Sequence, residues 1–383
     1  MDYEAEERIT NNLRHLVRFE AKPYPRELPE TSVTRAFGAR APPKLVGQLQ
    51  SPELVIRQKA LLAAVELLKV PECYSQCLEG GVLAALTELL LDADELVRQR
   101  AAAAVQLVAS KLVGCERILR HRTLPPLVGL LGDASPSVRQ ASYSALIEAA
   151  RFDCICHALA GMPAILPRLL ELTLEEEPSR SVLGLQLLTA CAAARNNDEG
   201  LDQLILVADI IHSMKPLLAP EQPLEVVERA TTLLSRLCMR QDARLKAVAA
   251  GHVERLVQLL QRGSLNLSIA AASALAAITV AIEGKDATVQ CPGGCQALVS
   301  LLDVDNEVLQ HNLLAATTNV AESPAGRKAL QEARAVLGQI KQSTARLEVS
   351  NGASQALRQL DFSARPYQKL PVTPRKAQQA IAA

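Results

Sequence analysis

Apolar residues recur along most of the chain at the spacing of a helix that buries one face. The segment DELVRQRAAAAVQLV (94–108) shows this spacing at i, i+3, i+4 and i+7, which predicts an amphipathic helix. Its apolar face consists of Ala101, Ala104, Val105 and Val108. Paraphrases of the segment stand upstream in ELVIRQKALLAAVELL (53–68) and downstream in PSVRQASYSALIEAA (136–150). The pattern therefore predicts a series of similar long helices.

The long segments return at a near-constant interval. An arginine stands near the start of each, and both intervals between successive arginines are 41 residues; these are Arg57, Arg98 and Arg139. A second anchor, the last leucine of the apolar segment before each long helix, recurs at steps of 41, 41, 39, 48, 42 and 42 residues; these are Leu49, Leu90, Leu131, Leu170, Leu218, Leu260 and Leu302. A period of about 40–47 residues is typical of armadillo and HEAT repeats.

A repeat of this size cannot bury its own apolar face, but it can bury that face against its neighbours. The sequence therefore predicts an all-α fold, an armadillo/HEAT-type right-handed α-solenoid of seven to eight repeats. We place the solenoid at 33–361, with a degenerate last repeat that caps the array. An N-terminal extension (1–32) and a basic, Pro-containing C-terminal tail (362–383) lie outside the array. Such tails either lack a fixed structure or become ordered against a partner. In the irregular fourth repeat, 174–181 and 196–209 are expected to be loops.

Each arginine of the series follows a turn residue by six positions. Asp92 precedes Arg98 and Asp133 precedes Arg139 at this distance, as Ser51 precedes Arg57. We interpret Arg57, Asp92, Arg98, Asp133 and Arg139 as structural, each turn residue reaching an arginine of the same or the neighbouring repeat. The alternative is a row of arginines that binds a ligand.

Composition removes several classes of function. The chain carries 41 basic and 41 acidic side chains and has 2% aromatic residues with no Trp, which argues against a nucleic-acid partner. The most apolar stretch, 268–282, is too short to span a bilayer, so we expect no membrane partner. The N-terminus lacks the apolar core of an export signal, and the nine cysteines are therefore expected to be free and buried in a reducing compartment.

No catalytic constellation is recognisable in the sequence. The chain lacks a Gly-rich phosphate loop, a Gly-x-Ser-x-Gly elbow and a His-Glu-x-x-His motif, and its six histidines are scattered. We therefore expect no enzyme, no cofactor and no small-molecule substrate. Cys73 with Cys77, and Cys291 with Cys295, have a spacing seen in zinc sites, but each pair lacks a second pair nearby. The structural interpretation of these cysteines is favoured over a metal site.

One position on each long helix is a candidate for partner binding. It lies nine residues after the arginine of the series, or after the equivalent position in the later repeats. Glu66 and Glu148 stand there and either attract a basic partner segment or form solvated helix surface. Asn319 is the one amide at this position, so the chain lacks the ladder of Asn and Trp with which transport-type armadillo proteins hold basic peptides. The tails add Tyr24, Arg365 and Tyr367 as candidates, and Thr373 lies in a segment resembling a proline-directed kinase site.

Three segments carry a family resemblance. At TRAFGARAPPKL (34–45), LQSPELVIRQKALLAAVELL (49–68) and GGVLAALTELLLDADELVRQRAAAAVQLVA (80–109), the chain resembles the radial spoke head 14 homolog family, also called rhabdoid tumour deletion region protein. The resemblance implies a non-catalytic scaffold subunit of the axonemal radial spoke in cilia and flagella, with other radial spoke proteins as partners. The alternative is a soluble cytoplasmic armadillo adaptor or a transport-type peptide-binding receptor.

Overall fold

The computed structural model describes residues 40–162, 164–343 and 346–362, with backbone alone at position 343. Within these ranges the regular secondary structure is entirely helical. The described residues form two compact units, the first ending at Ala145 and the second beginning at Leu146. Several sequence predictions lie outside the described residues, namely the extension 1–32, all of the tail after Phe362, and the candidates Tyr24, Arg365, Tyr367 and Thr373.

The first unit contains seven complete helices and the start of an eighth. These are α1 (Ala41–Leu49), α2 (Leu54–Lys69), α3 (Pro71–Glu79), α4 (Val82–Leu89), α5 (Glu95–Ala109), α6 (Leu112–Arg120), α7 (Leu124–Gly129) and α8 (Pro136–Ala149), which runs into the second unit. A single 3₁₀ turn extends α7 over Leu130–Gly132.

The second unit contains the remaining fifteen helices of the described residues. These are α9 (Asp153–Ala160), α10 (Ile165–Glu175), α11 (Pro178–Ala193), α12 (Asp198–Asp202), α13 (Ile210–Ser213), α14 (Leu224–Leu237), α15 (Gln241–Ala249), α16 (His252–Leu260), α17 (Leu265–Ile278), α18 (Ile282–Gln290), α19 (Gly294–Ser300), α20 (Glu307–Ala321), α21 (Pro324–Ala329), α22 (Ala333–Ser343) and α23 (Leu347–Leu360). A π-helical turn extends α12 over Gln203–Val207, and a 3₁₀ turn, Lys215–Leu218, follows α13.

Among the described helices, every third one is long. In the second unit the long helices α11, α14, α17, α20 and α23 pack side by side in chain order, and α2 packs against α5 in the first unit. Apolar and small residues fill these contacts; Ala101, Ala104, Val105 and Val108 of α5 are all fully buried. Two shorter helices separate successive long ones, so each repeat consists of three helices.

The expectation of loops in the fourth repeat was wrong. Residues 174–181 include the end of α10 and the start of α11, while 196–209 include α12 and its π-helical extension. The buried Asn197 explains part of the error, because its Nδ2 donates to the carbonyl oxygen of Cys191 at 2.9 Å. An amide that reads as a loop residue in the sequence thus closes the end of α11.

The bond made by Asn197 is one case of a recurring contact. A donor in the following short helix, or just before it, reaches back six residues to a carbonyl at the end of the preceding long helix. Such carbonyls lack a partner within their own helix. The donors are Cys115 to Ala109 (3.3 Å), Cys156 to Ala150 (3.3 Å), Asn197 to Cys191 (2.9 Å), Arg244 to Cys238 (2.8 Å) and Arg327 to Ala321 (3.0 Å).

Glycine allows some short helices to approach the preceding long helix closely. A Cβ atom added to Gly326 in α21 would lie 2.0 Å from the carbonyl oxygen of Val320, and one added to Gly284 in α18 would lie 2.2 Å from that of Ile278. Real Cβ atoms do not approach oxygen so closely, so these positions exclude every other side chain unless the backbone moves.

His252 joins two repeats of the second unit at the start of α16. Its Nε2 lies 2.7 Å from the carbonyl oxygen of Ile211 in α13. The imidazole is almost fully buried, and this burial lowers the pKa of His252 below its ordinary value, although the bond to Ile211 acts in the opposite direction. The neutral ring, donating from Nε2, is therefore the form that the fold holds.

Replacing Gly326 by alanine is expected to destabilise the protein by about 1–3 kcal/mol, because the added methyl group overpacks a closed contact. Gly338 in α22 is the matched control, since a Cβ there meets no atom within 4 Å. Gly338→Ala should stabilise its helix by up to about 1 kcal/mol. Urea unfolding of both variants measures the difference, and equal effects of the two changes would contradict the close contact.

Lowering the pH below about 6.5 is expected to destabilise the protein through His252. The unfolded chain takes up a proton near that pH, whereas the folded chain does so at a lower pH, so stability is lost as the pH falls between the two pKa values. His252→Gln keeps an N–H donor and removes the titration. Thermal unfolding between pH 7.5 and 5.5 should then show a shallower pH dependence than wild type; identical slopes would refute the assignment.

Candidate protein-binding surfaces

Arginines near the starts of α2 and α5 join each repeat to the next in the first unit. Arg57 Nε lies 2.9 Å from Asp92 Oδ2. Arg98 donates to both carboxylate oxygens of Asp133, from Nε at 2.7 Å and from Nη2 at 3.1 Å. In each case the carboxylate belongs to the turn before the next long helix. The structure thus brings together Arg57 with Asp92, and Arg98 with Asp133.

Arginines of the series also donate hydrogen bonds to the turns of their own repeats. Arg98 Nη1 donates to the carbonyl oxygens of Asp92 and Ala93, each at 2.9 Å. Arg139 Nη1 makes the equivalent bond to the carbonyl oxygen of Asp133 at 2.8 Å. Guanidinium groups with these bonds have donors engaged within the fold, which favours the structural interpretation of the arginine row over ligand binding.

Arg180 in α11 is a further arginine of the series that sequence reasoning missed. It lies 41 residues after Arg139, and this interval was the signal that would have found it. Its Nε donates to Glu176 Oε2 at 2.7 Å, and its Nη2 lies 3.0 Å from Glu177 Oε2. Here the carboxylates come from the turn of the same repeat.

The groups around Asp133 change the pKa of its carboxylate. Partial burial acts to raise its pKa, but the hydrogen bond from Arg98, the backbone N–H of Ser135 and the charges of Arg98 and Arg139 outweigh burial. The pKa of Asp133 therefore lies below its ordinary value. Its contribution to stability is present at pH values above about 4 and is lost as the pH falls through the lowered pKa.

A shallow depression of about 510 Å³ adjoins the Arg57–Asp92 pair. Its polar lining includes Gln50, whose Nε2 donates to Glu88 Oε2 at 3.2 Å. The polar groups of this depression are thus largely paired with one another.

The two glutamates proposed for partner binding form local ion pairs. Glu66 accepts from Lys69 Nζ at 3.0 Å, and Glu148 accepts from Arg151 Nη1 at 2.6 Å. Each partner lies three residues later in the chain, and pairs of this kind at a protein surface contribute little free energy. A basic partner could replace the local one at small cost, so partner binding at these positions stays a prediction.

Asn319 lines a groove of about 450 Å³ between α20 and α23. Its Nδ2 donates to the carbonyl oxygen of Ala276 at 3.1 Å and lies 3.3 Å from Thr279 Oγ1, so the amide also joins α20 to α17. The groove wall opposite Asn319 carries Asn351 and Gln355 of α23. Sequence reasoning singled out Asn319 and missed these two amides, because α23 belongs to the repeat with the weakest pattern.

All nine cysteines lie among the described residues and are free; five are buried and four are half-buried. Burial raises the pKa of Cys238 to about 12 and, together with the charge of Cys73, that of Cys77 to about 11. A hydrogen bond with Cys156 and complete burial raise the pKa of Cys191. The described part of the chain contains no group of three or more His, Cys, Asp or Glu residues arranged to hold a metal ion.

No single helix in the described ranges is long and apolar enough to cross a membrane. The helices α9 and α10 reach the necessary length and composition only as a pair, and they are bent by 97° at the break between them.

The inter-repeat ion pair predicts a measurable coupling between Arg98 and Asp133, whose side chains are only 18% and 9% exposed. In a double-mutant cycle of Arg98→Ala and Asp133→Ala, we expect a coupling of about 1–2 kcal/mol at neutral pH. The exposed pair Arg168–Glu171 is the control and should give less than about 0.5 kcal/mol. Additive effects of the Arg98 and Asp133 changes on urea unfolding would contradict the pairing.

Comparison with known proteins gives an extensive sequence match. Radial spoke protein 14 of Chlamydomonas reinhardtii is 43% identical to the chain over 384 residues, covering 98% of this chain and 99% of that protein. No known protein-family profile matches the chain.

Solved structures that resemble the chain include two crystal structures of engineered proteins, of which the first shares its fold. The first has a TM-score of 0.59 with 23% identity and covers 85% of this chain and 90% of its own; at this identity the match shows a shared fold alone. The second has a TM-score of 0.43 with 24% identity, over 73% of this chain and 96% of its own. The algal match, by contrast, extends along almost the whole length of both sequences, and the chain therefore belongs to the radial spoke protein 14 family.

Proposed function

We propose that this chain is a non-catalytic structural subunit of the radial spoke in the axoneme of cilia and flagella. The observation that carries the proposal is the 43% identity over 98% of the chain to a protein named as a radial spoke protein. Sequence identity at this level along a whole chain supports a common structural role. A shared fold alone is weaker support, because one fold can serve many functions.

The proposed architecture is an armadillo-type right-handed solenoid at 33–361. The recurrence of one long helix after two shorter ones supports it, since three helices per repeat distinguish armadillo from two-helix HEAT repeats. The eighth long helix, α23, serves in this proposal as the cap. Repeats of this kind present a long surface of third helices to partners.

The non-catalytic role is supported by how the chain uses its reactive side chains. The arginines of the repeat series hold turns and neighbouring carboxylates. The thiols of Cys77 and Cys238 have raised pKa values and are therefore poor nucleophiles at neutral pH. These groups stabilise the fold and are not poised for chemistry.

In this proposal the partners are other radial spoke proteins, bound along the long helices and by the terminal segments 1–32 and 362–383. Glu66, Glu148 and Asn319 are the candidate contacts on the helices, and Tyr24, Arg365 and Tyr367 are the candidates in the terminal segments. Chemical crosslinking of isolated axonemes, read by mass spectrometry, identifies the proteins that touch each region.

Deleting the gene in a ciliated organism is expected to remove or disorder radial spokes, because a structural subunit contributes contacts that no soluble activity replaces. Electron microscopy of axoneme cross-sections measures this, and re-expression of the wild-type chain is the control. Normal spokes in the deletion strain would refute the proposal. Free cytosolic behaviour of the tagged chain in ciliated cells would favour the armadillo adaptor instead.

A further inference from the structure

The short helices that directly follow the long ones pack against one another in the second unit. There α15, α18 and α21 lie side by side in chain order. Large apolar side chains are exposed where two of these helices begin. Met239, before α15, is 66% exposed, and Val280 and Ile282, at the start of α18, are 50% and 70% exposed. Met239 and Val280 are 41 residues apart, so the same place in two successive repeats is apolar and open to solvent.

Carboxylates stand beside these apolar side chains. Asp242 and Glu283 are the second residues of α15 and α18, and Asp286 lies three residues further along α18. All three are exposed, and none of them forms an ion pair with another described residue. We call this surface the acidic edge; it consists of Met239, Asp242, Val280, Ile282, Glu283 and Asp286.

Cationic groups near the acidic edge are engaged with other carboxylates. Arg240 Nη2 lies 2.7 Å from Asp202 Oδ1, and Lys285 pairs with Glu322. Lys328 of α21 is exposed and lowers the negative charge at that end of the edge. The unpaired carboxylates lie on α15 and α18, and a basic group from outside the described residues would therefore be attracted there.

The last described residues of the chain lie close to the acidic edge. After α23, Asp361 Oδ1 lies 2.7 Å from Arg334 Nη2 of α22. The ring centroid of Phe362 lies 5.4 Å from the guanidinium carbon of Arg327 in α21. Because α21 packs against α18, the segment 363–383 begins one helix away from the acidic edge.

The composition of segment 363–383 complements that of the acidic edge. The segment contains four basic residues and no acidic one, and three of the four stand at or after position 369. Large apolar residues stand among and after them. These basic and apolar residues are Lys369, Leu370, Val372, Arg375, Lys376 and Ile381.

The chain between Phe362 and Lys369 is long enough to reach the acidic edge. Seven residues span up to about 23 Å at a rise of about 3.3 Å per residue, whereas packed helices lie about 8–10 Å apart. A tether of this kind gives the segment an effective concentration on the order of millimolar at the edge. Surface ion pairs are individually weak, but at that concentration several of them are enough to hold the segment.

We infer that residues 369–381 of this chain bind the acidic edge of its own second unit. The basic side chains of the segment pair with the carboxylates of the edge, and its apolar side chains cover the exposed apolar ones, which removes apolar area from water. The inference is independent of the proposed function, because both surfaces belong to this chain. Arg365 and Tyr367, the candidates for partner binding, precede the bound residues and stay available to a spoke protein.

The chain contains no Trp, so Leu370→Trp in the full-length chain gives a fluorophore that reports on the segment. We expect acrylamide to quench this Trp at least threefold less efficiently than in a free peptide of residues 363–383 with the same change. The shielding should not depend on protein concentration, because the contact lies within one chain. Equal quenching in chain and peptide would overturn the inference, and so would shielding that grows with concentration, which would assign the contact to a second copy.

Charge reversal locates the contact on the acidic edge. Glu283→Lys/Asp286→Lys, made in the Leu370→Trp chain, should raise the quenching to that of the free peptide. Glu307→Lys/Glu348→Lys is the matched control, because these exposed carboxylates near the starts of α20 and α23 change the net charge equally. The control should keep its shielding. Shielding that survives the first pair of changes would place the segment elsewhere, and equal losses would show an effect of the whole-protein charge; either result would overturn the inference.

The apolar part of the contact has its own matched pair of variants. Met239→Ser/Ile282→Ser should also raise the quenching of the Trp at position 370 toward that of the free peptide. The control is Leu224→Ser/Leu265→Ser, which changes the first residues of α14 and α17, 45% and 46% exposed. Since all four side chains are exposed, thermal unfolding followed by circular dichroism should be similar in both variants. Equal quenching in these two folded variants would contradict the contact with the acidic edge.

Discussion

The structure depends on apolar helix faces that no single repeat can bury by itself. In the second unit, α14, α17 and α20 are each covered by the long helix before and the long helix after it in chain order. The contacts are close because many of their side chains are small; in α17 these include Ala271, Ala272 and Ala274, all fully buried. Burial of apolar area supplies the driving force, and the 41-residue interval follows from the need to bring each face to the same place.

Polar contacts solve the problem that this packing creates at the helix ends. A long helix leaves its last carbonyl groups without partners, and the turn before it exposes further ones. Side chains such as Asn197 and Arg244 satisfy the carbonyls at the ends of long helices, and Arg98 satisfies those of the turn. The same position of successive repeats makes these hydrogen bonds. The polar contacts therefore recur along the chain together with the apolar contacts between the long helices.

The sequence predicted the helices whose apolar periodicity is strong, and it predicted the recurring arginine near their starts. Both signals depend on residue type. Arg57, Arg98 and Arg139 are identical residues at equal steps, whereas Cys156, Asn197 and Arg244 share only the ability to donate a hydrogen bond. Because three different residue types donate this hydrogen bond, a search for one repeated residue type along the sequence cannot find the position. The prediction of loops in the fourth repeat was wrong for the same reason, because no repeated residue type marks the bond from Asn197 to the end of α11. In the groove, Asn319 followed from the repeat register, but the amides of Asn351 and Gln355 on the opposite wall could be found only from the structure.

The double attachment of Arg98 has a mechanical consequence. One guanidinium holds the carbonyl groups of its own turn and, at the same time, the carboxylate of the following turn. The guanidinium group is planar and rigid, so it fixes the spacing of the two turns as well as the shape of its own turn. Any displacement of one turn relative to the next must therefore break these hydrogen bonds in addition to the apolar contacts between the helices.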